Sequence, residues 1–221
     1  MKKISLIFFT IMLLQCSKPC EDCGTGRIME NYVLRYIKAD SNLSMQAYKV
    51  LEDSSEILFK VAFFAPEINP IVPETDDMIT EFHRIAAYNG DTVYNRSLAT
   101  CFPYACFAEG ENRFDIYCDK DYNKYSAGVS LNEIFTIHSY NVADFVKNGY
   151  VTLDEESPIA ACESLIPLTQ FNNEKKYLVS SYDIGLFLTV KPTDTIEYKF
   201  YFVYSDKSDF VLKDSVMFKK E

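Results

Sequence analysis

The sequence predicts an all-β domain, an antiparallel β-sandwich of immunoglobulin-like type with short helical turns in its connections. Three observations point there. Residues 184–218 alternate apolar and mixed side chains in short runs separated by turns. Residues 45–64 hold two apolar runs around a polar group. The chain has 16 Tyr and 17 Phe, types that favour strands, while Gly numbers only 7 of 221 residues, which argues against low complexity.

Taken in order, Tyr32 to Ile37 reads as a strand. Met45–Leu51 and Ile57–Phe64 flank Glu52-Asp53-Ser54-Ser55-Glu56, the pattern of a hairpin with a short loop. Pro66, Pro70 and Pro73 mark a long loop, since proline removes a ladder donor. Met78, Ile79, Phe82, Ile85 and Ala86 follow a helical spacing, in a stretch also short enough for a strand pair. Asn89-Gly90-Asp91 is a turn. Phe114, Ile116 and Cys118 alternate with Asp115, Tyr117 and Asp119, the period of a half-buried strand. Ser130-Leu131-Asn132-Glu133 fits a capping box, and Asn141 fits the cap of a helical turn over 142–147 that stops near Gly149.

The last third reads as an antiparallel meander. Its first run has Ile184, Leu186, Leu188 and Val190 on alternate positions. After the turn at 192–195, Ile196, Tyr198, Phe200, Phe202 and Tyr204 share one face. Tyr201 and Val203 make the other face apolar too, which predicts a central strand. A turn at 205–209 leads to the final strand, Phe210–Phe218, whose even-numbered apolar face is interrupted by Asp214. A bulge there would return Met217 to the core side.

The N-terminus carries an address. Lys2 and Lys3 precede an apolar run, Ile4–Leu14, broken only by Ser5 and Thr10, and Gln15-Cys16 follows. The run is about half the roughly twenty residues a spanning helix needs. The first alanine is Ala39, and no small-x-small pair follows the run before Gly24 and Gly26, so ordinary secretory cleavage lacks its site. Residues 1–15 therefore read as a lipoprotein signal, with lipid on Cys16. Gln15 is larger than the usual residue before such a cysteine, and the alternative role for Cys16 is a disulfide partner. Residues 16–28, with Pro19, Gly24 and Gly26, read as a tether, and 29–221 as a single domain. The expected location is the cell envelope, as an outer-membrane lipoprotein facing the periplasm or the surface.

The whole chain carries −10. Removal of Lys2 and Lys3 leaves 20 basic against 32 acidic residues, or −12. That balance, with no Lys/Arg cluster, excludes nucleic acid as a partner.

Seven cysteines in an exported chain predict disulfides. With Cys16 lipidated, Cys20, Cys23, Cys101, Cys106, Cys118 and Cys162 remain, and at least one bridge is expected among the last four. The Cys20-x-x-Cys23 spacing is shared by zinc and redox sites, but no strand–helix unit surrounds it. Asp119, Asp121 and Asn123 begin like an oxygen-ligand metal loop. The sixth and twelfth places of an EF-hand fail, however, being Lys124 and Ser130. Catalytic signals are thin. His83 and His138 are the only histidines, neither lies in a metalloprotease motif, and no G-x-S-x-G elbow or Gly-rich phosphate loop occurs. No cofactor signature is present.

One segment carries a resemblance. Cys101-Phe102-Pro103-Tyr104-Ala105-Cys106 is followed by Cys118-Asp119-Lys120-Asp121-Tyr122-Asn123 and by Ala127-Gly128-Val129-Ser130-Leu131-Asn132-Glu133-Ile134-Phe135. With the signal, the tether and the C-terminal β-rich third, this resembles a family of uncharacterised Bacteroidota cell-envelope lipoproteins carrying a domain of unknown function. The resemblance implies an envelope location and supplies no activity. The expected function is a lipid-anchored binding module for a glycan, peptide or envelope-protein ligand, held to the membrane through its N-terminal lipid, and not an enzyme. A structural subunit of an envelope or adhesive assembly is the second reading, and a hydrolase with an unrecognised site the third.

Overall fold

A computed structural model describes residues 28–50, 57–69, 75–97, 101–108, 110–151, 159–174, 178–206 and 210–219. The signal, Cys16, Cys20, Cys23, Pro70, Pro73 and the polar group 52–56 lie outside these residues. The described strands are β1 (Ile28–Met29), β2 (Tyr36–Ile37), β3 (Ser44–Val50), β4 (Ile57–Phe64), β5 (Arg96–Ser97), β6 (Cys106–Phe107), β7 (Arg113–Cys118), β8 (Phe135–Tyr140), β9 (Glu163–Pro167), β10 (Ile184–Leu188), β11 (Glu197–Ser205) and β12 (Val211–Lys219). The described helices are α1 (Asp76–Tyr88), α2 (Ala143–Lys147) and α3 (Leu168–Asn173).

The fold is an all-β antiparallel sandwich with short helices. One sheet has the order β3-β4-β10-β8-β9, the other β12-β11-β7. Their inner faces meet on aromatic rings. Phe59 of β4 lies 5.4 Å from Phe200 and 5.1 Å from Phe202 of β11, centre to centre, and Phe63 lies 5.0 Å from Tyr204. Tilted and edge-on contacts of this kind suit the ring quadrupoles and fill the space between sheets.

The predicted hairpin is present, with Val50 opposite Leu58 and Ser44 opposite Phe64. The helical spacing around Phe82 resolves to α1, not a strand pair. Thr75 caps it by accepting from the Met78 N–H at 3.2 Å, and Asp76 and Asp77 add negative charge to its first turn. Asn141 accepts from the Ala143 N–H at 3.1 Å, and Gly149 ends that turn at a φ of +68°. β11 is central as predicted, with Tyr198, Phe200, Phe202 and Tyr204 buried.

Four expectations are corrected. The run at 184–188 is not the first strand of a meander. β10 pairs with β4 and β8 in the five-stranded sheet, and of the three strands expected in the meander β11 and β12 alone pair with each other. No bulge occurs at Asp214. The β11–β12 register is unbroken and Met217 remains half exposed. Asp214 stays on the inward side because its carboxylate accepts the Ala47 N–H at 2.7 Å, which ties β12 to β3 across the sheets. The strand expected at 32–37 shrinks to β2, which runs parallel to β6. Ser130 and Glu133 form no reciprocal box, since Glu133 takes the Tyr125 hydroxyl instead.

The free edge of β7 is occupied by side chains and loop backbone. Asn172 accepts from the Phe114 N–H at 3.1 Å and donates to its carbonyl at 2.7 Å. Asn132 accepts from the Ile116 N–H at 3.0 Å, and the Leu131 and Gly128 N–H groups donate to the Ile116 and Cys118 carbonyls.

A second core lies beside the sandwich. It joins Tyr32, Tyr36, Tyr94, Phe102, Phe145 and Tyr150 to Phe82 and Ile85 of α1. Asp91, fully buried, organises it. Its two carboxylate oxygens accept the Tyr32 and Val33 N–H groups at 2.8 Å each, and the Tyr150 hydroxyl donates at 2.9 Å. The segment predicted only as a turn thus ties α1 to the start of the domain.

A fifth correction concerns the cysteines. Cys101, Cys106, Cys118 and Cys162 are buried as thiols, and no disulfide joins them. The reason is partition and packing. Cys118 belongs to the sandwich core and the other three to the second core, where each fills apolar space as a small hydrophobe. Burial pushes the Cys101 thiol up to about 11 and the Cys162 thiol up to about 12, which suppresses the reactive thiolate. Protein denatured without reductant and then alkylated is expected to show all four residues modified on peptide mapping, whereas the native protein resists. A bridged peptide pair among the four would contradict this.

Candidate binding surface

The outer face of the five-stranded sheet ends in a group of tyrosines. Backbone pairing puts them together. The Phe107 N–H donates to the Val179 carbonyl at 3.0 Å and the Ser181 N–H to the Ala105 carbonyl at 2.9 Å, so residues 104–107 run antiparallel to 179–182. That register sets Tyr104 opposite Tyr182. Their rings stack face to face, 4.3 Å apart and 9° from parallel. The Ser180 N–H donates to the Tyr140 carbonyl, which brings the end of β8 alongside. Tyr140 then lies 5.9 Å from Tyr104, and buried Phe102 supports both from below at 6.2 and 5.5 Å.

Tyr182 remains 56% exposed, although Tyr104 covers one side of its ring. The other side therefore faces water, and stacking on Tyr104 restricts the orientations of the ring before any ligand arrives. Charged groups fringe the rings. Asp183, at a φ of +56°, turns its carboxylate to Lys60 at 2.7 Å. His138 Nε2 meets Glu163 Oε1 at 2.7 Å across β8 and β9. Burial, then Glu163 and the neighbouring Tyr104, Asp183 and Tyr182, push the Tyr140 hydroxyl above its ordinary range. Like any tyrosine it is protonated at neutral pH and can donate a hydrogen bond.

Gly185 lies on the same face of β10, opposite His138 and Lys60. A Cβ there would come within 3.2 Å of Leu58 Cδ1 and 3.3 Å of Phe187 Cε2. The absence of a side chain lets those two side chains pack against the strand. Leu165, 61% exposed on edge strand β9, extends the face.

The residues singled out from sequence fall elsewhere. Asp119 accepts the Lys199 N–H at 2.8 Å, and Asp121 the Ala127 N–H at 2.8 Å. Asn123 accepts the Thr193 N–H at 2.9 Å and donates to the Lys191 carbonyl at 3.0 Å. These side chains order turns. Among the described residues no group of three or more His, Cys, Asp or Glu could hold a metal ion. His83 is exposed on α1 with its ring edge-on to Phe82, whereas His138 lies on β8 against Glu163 and Tyr140. Asp91 is out of reach of any ligand. Tyr104, Tyr140, Glu163, Tyr182 and Asp183 gave no sequence signal, because their meeting depends on pairing between distant segments.

No protein-family model matches this chain, and no curated protein or solved structure matches it. Among the described residues no helix is long and apolar enough to cross a membrane.

Proposed function

We propose that this protein is a lipid-anchored binding module of the cell envelope, using the outer face of its five-stranded sheet to engage a ligand. The observation that carries the reading is the pre-stacked, solvent-facing ring of Tyr182. An ordered aromatic presents contact area with little side-chain entropy left to lose on binding. The signal and Cys16 supply the anchor, and the resemblance to envelope lipoproteins agrees with it.

Two results test this reading. Cys16→Ala is expected to abolish fatty-acid labelling and release the protein from membranes in cell fractionation; continued labelling would end the Cys16 assignment. Affinity capture from the native envelope is expected to recover a ligand or partner with the unmodified chain and to lose it with Tyr182→Ala. Capture unchanged by Tyr182→Ala, or reproducible hydrolytic turnover lost on changing one acid or His138, would overturn the binding role of this face.

A further inference from the structure

We infer that the ligand of the tyrosine platform is an oligosaccharide of neutral pyranose units. The inference rests on the binding reading above and names its substrate class. Three properties of the surface select this chemistry.

The first is the geometry of the stack. Tyr104 backs Tyr182 at 4.3 Å, so only one flat ring face is offered, on an open surface. A pyranose lays its axial C–H groups on such a face and keeps its hydroxyls at the perimeter. A long apolar anchor would need a pocket to be desolvated, whereas Tyr182 offers an exposed ring face backed by Tyr104.

The second is the mixed fringe. Around the rings stand acceptors (Asp183 and Glu163), a cationic donor (Lys60) and the hydroxyl of Tyr140. Sugar hydroxyls both donate and accept, and a fringe holding both kinds of group matches them. Asp183 and Glu163 are already held by Lys60 and His138, so they are oriented before binding.

The third is charge. A chain carrying −10 repels acidic polysaccharides and anionic head groups. A cationic peptide would gain from that charge, but here Lys60 already occupies Asp183, and Lys60 would oppose an incoming lysine or arginine. A neutral saccharide meets neither obstacle.

The test uses the full chain, purified in a detergent without sugar head groups. The probes are maltohexaose, cellohexaose, mannohexaose and chitohexaose, with hexalysine and polygalacturonate as charged comparators. Calorimetry and tyrosine fluorescence report binding, the latter clean because the chain has no Trp. At least one neutral hexaose is expected to bind. Tyr182→Ala should weaken it at least about tenfold, equivalent to about 1.4 kcal/mol. Tyr182→Phe should retain most of the affinity, which a loss of folding would not allow. Tyr88→Ala, an exposed ring at the end of α1, should change nothing. Binding of hexalysine or polygalacturonate but no neutral hexaose would overturn the inference. So would a neutral hexaose whose affinity is indifferent to Tyr182→Ala, or no binding to any probe. If envelope capture still depends on Tyr182 while no hexaose binds, the binding role stands and only the sugar assignment falls.

Discussion

Phe200→Ala is expected to lower folding stability by about 3–5 kcal/mol, the range for emptying an aromatic site in a packed core. Phe200 is fully buried at the centre of β11. Its ring lies 5.4 Å from Phe59, 5.5 Å from Tyr122 and 5.9 Å from Phe218, so it touches both sheets and the loop beyond β7. Those neighbours are themselves large buried rings, Phe59 and Phe218 on strands and Tyr122 in the loop, and they have little freedom to collapse into the void. Glu197→Ala, at the exposed start of the same strand, should stay within about 0.5 kcal/mol of the unmodified protein. Denaturant unfolding of both variants decides the matter. Equal losses would mean that the sandwich does not close on Phe200.

Asp91→Ala is expected to cost about 3 kcal/mol or more. It strands three buried donors, the Tyr32 and Val33 N–H groups and the Tyr150 hydroxyl, each worth about 1–3 kcal/mol when left unsatisfied. Asp91→Asn should not rescue it. The two carboxylate oxygens each accept a backbone N–H, and an amide would turn its NH2 toward one of them. The cost should also depend on pH. Burial raises the Asp91 carboxyl above its ordinary value, against the lowering effect of the Tyr32 and Val33 N–H groups and the Tyr150 and Tyr36 hydroxyls. A raised acid contributes stability that is full below its unfolded value and is lost as pH rises through its folded value. The gap between unmodified protein and Asp91→Ala should therefore be wider near pH 4 than near pH 8. Urea unfolding at the two pH values measures it, and a gap that widens with pH would contradict the assignment.

Local patterns in the chain translated well into local structure. The β3–β4 hairpin followed from two apolar runs around a polar group, and the β11 faces from strict alternation at 196–204. α1 followed from a 3.6-residue spacing, although its Thr75 cap and acidic first turn were available and went unused. What failed was pairing across distance. Ile184–Leu188 has the same alternation whether it neighbours β11 or β4, and nothing local distinguishes the two. Asp214 looked like a fault in an apolar face because its partner, the Ala47 N–H, lies on a strand far away in sequence. The cysteines misled for a different reason. Compartment favours bridges, but a thiol enclosed by aromatic side chains is also a good core residue, and spacing does not separate the roles. The tyrosine platform was illegible on the first ground, since Tyr104 and Tyr182 meet only through the register of two distant segments.

The sealed border of β7 has a consequence for life at high density. Chains anchored to one membrane, as proposed above, share a thin layer and collide sideways far more often than chains free in solution. An open strand border is a template for a neighbour's strand, and such pairing grows into aggregates. Here the side-chain amides of Asn132 and Asn172 stand where that neighbour's backbone would be. They carry no charge of their own, and Asn132 is itself held by donating to the Asp115 carboxylate at 2.8 Å. They also end in side chains, which offer no onward ladder. The three-stranded sheet is thus stopped at β7 by its own residues, and crowding on the membrane gives it nothing to extend there.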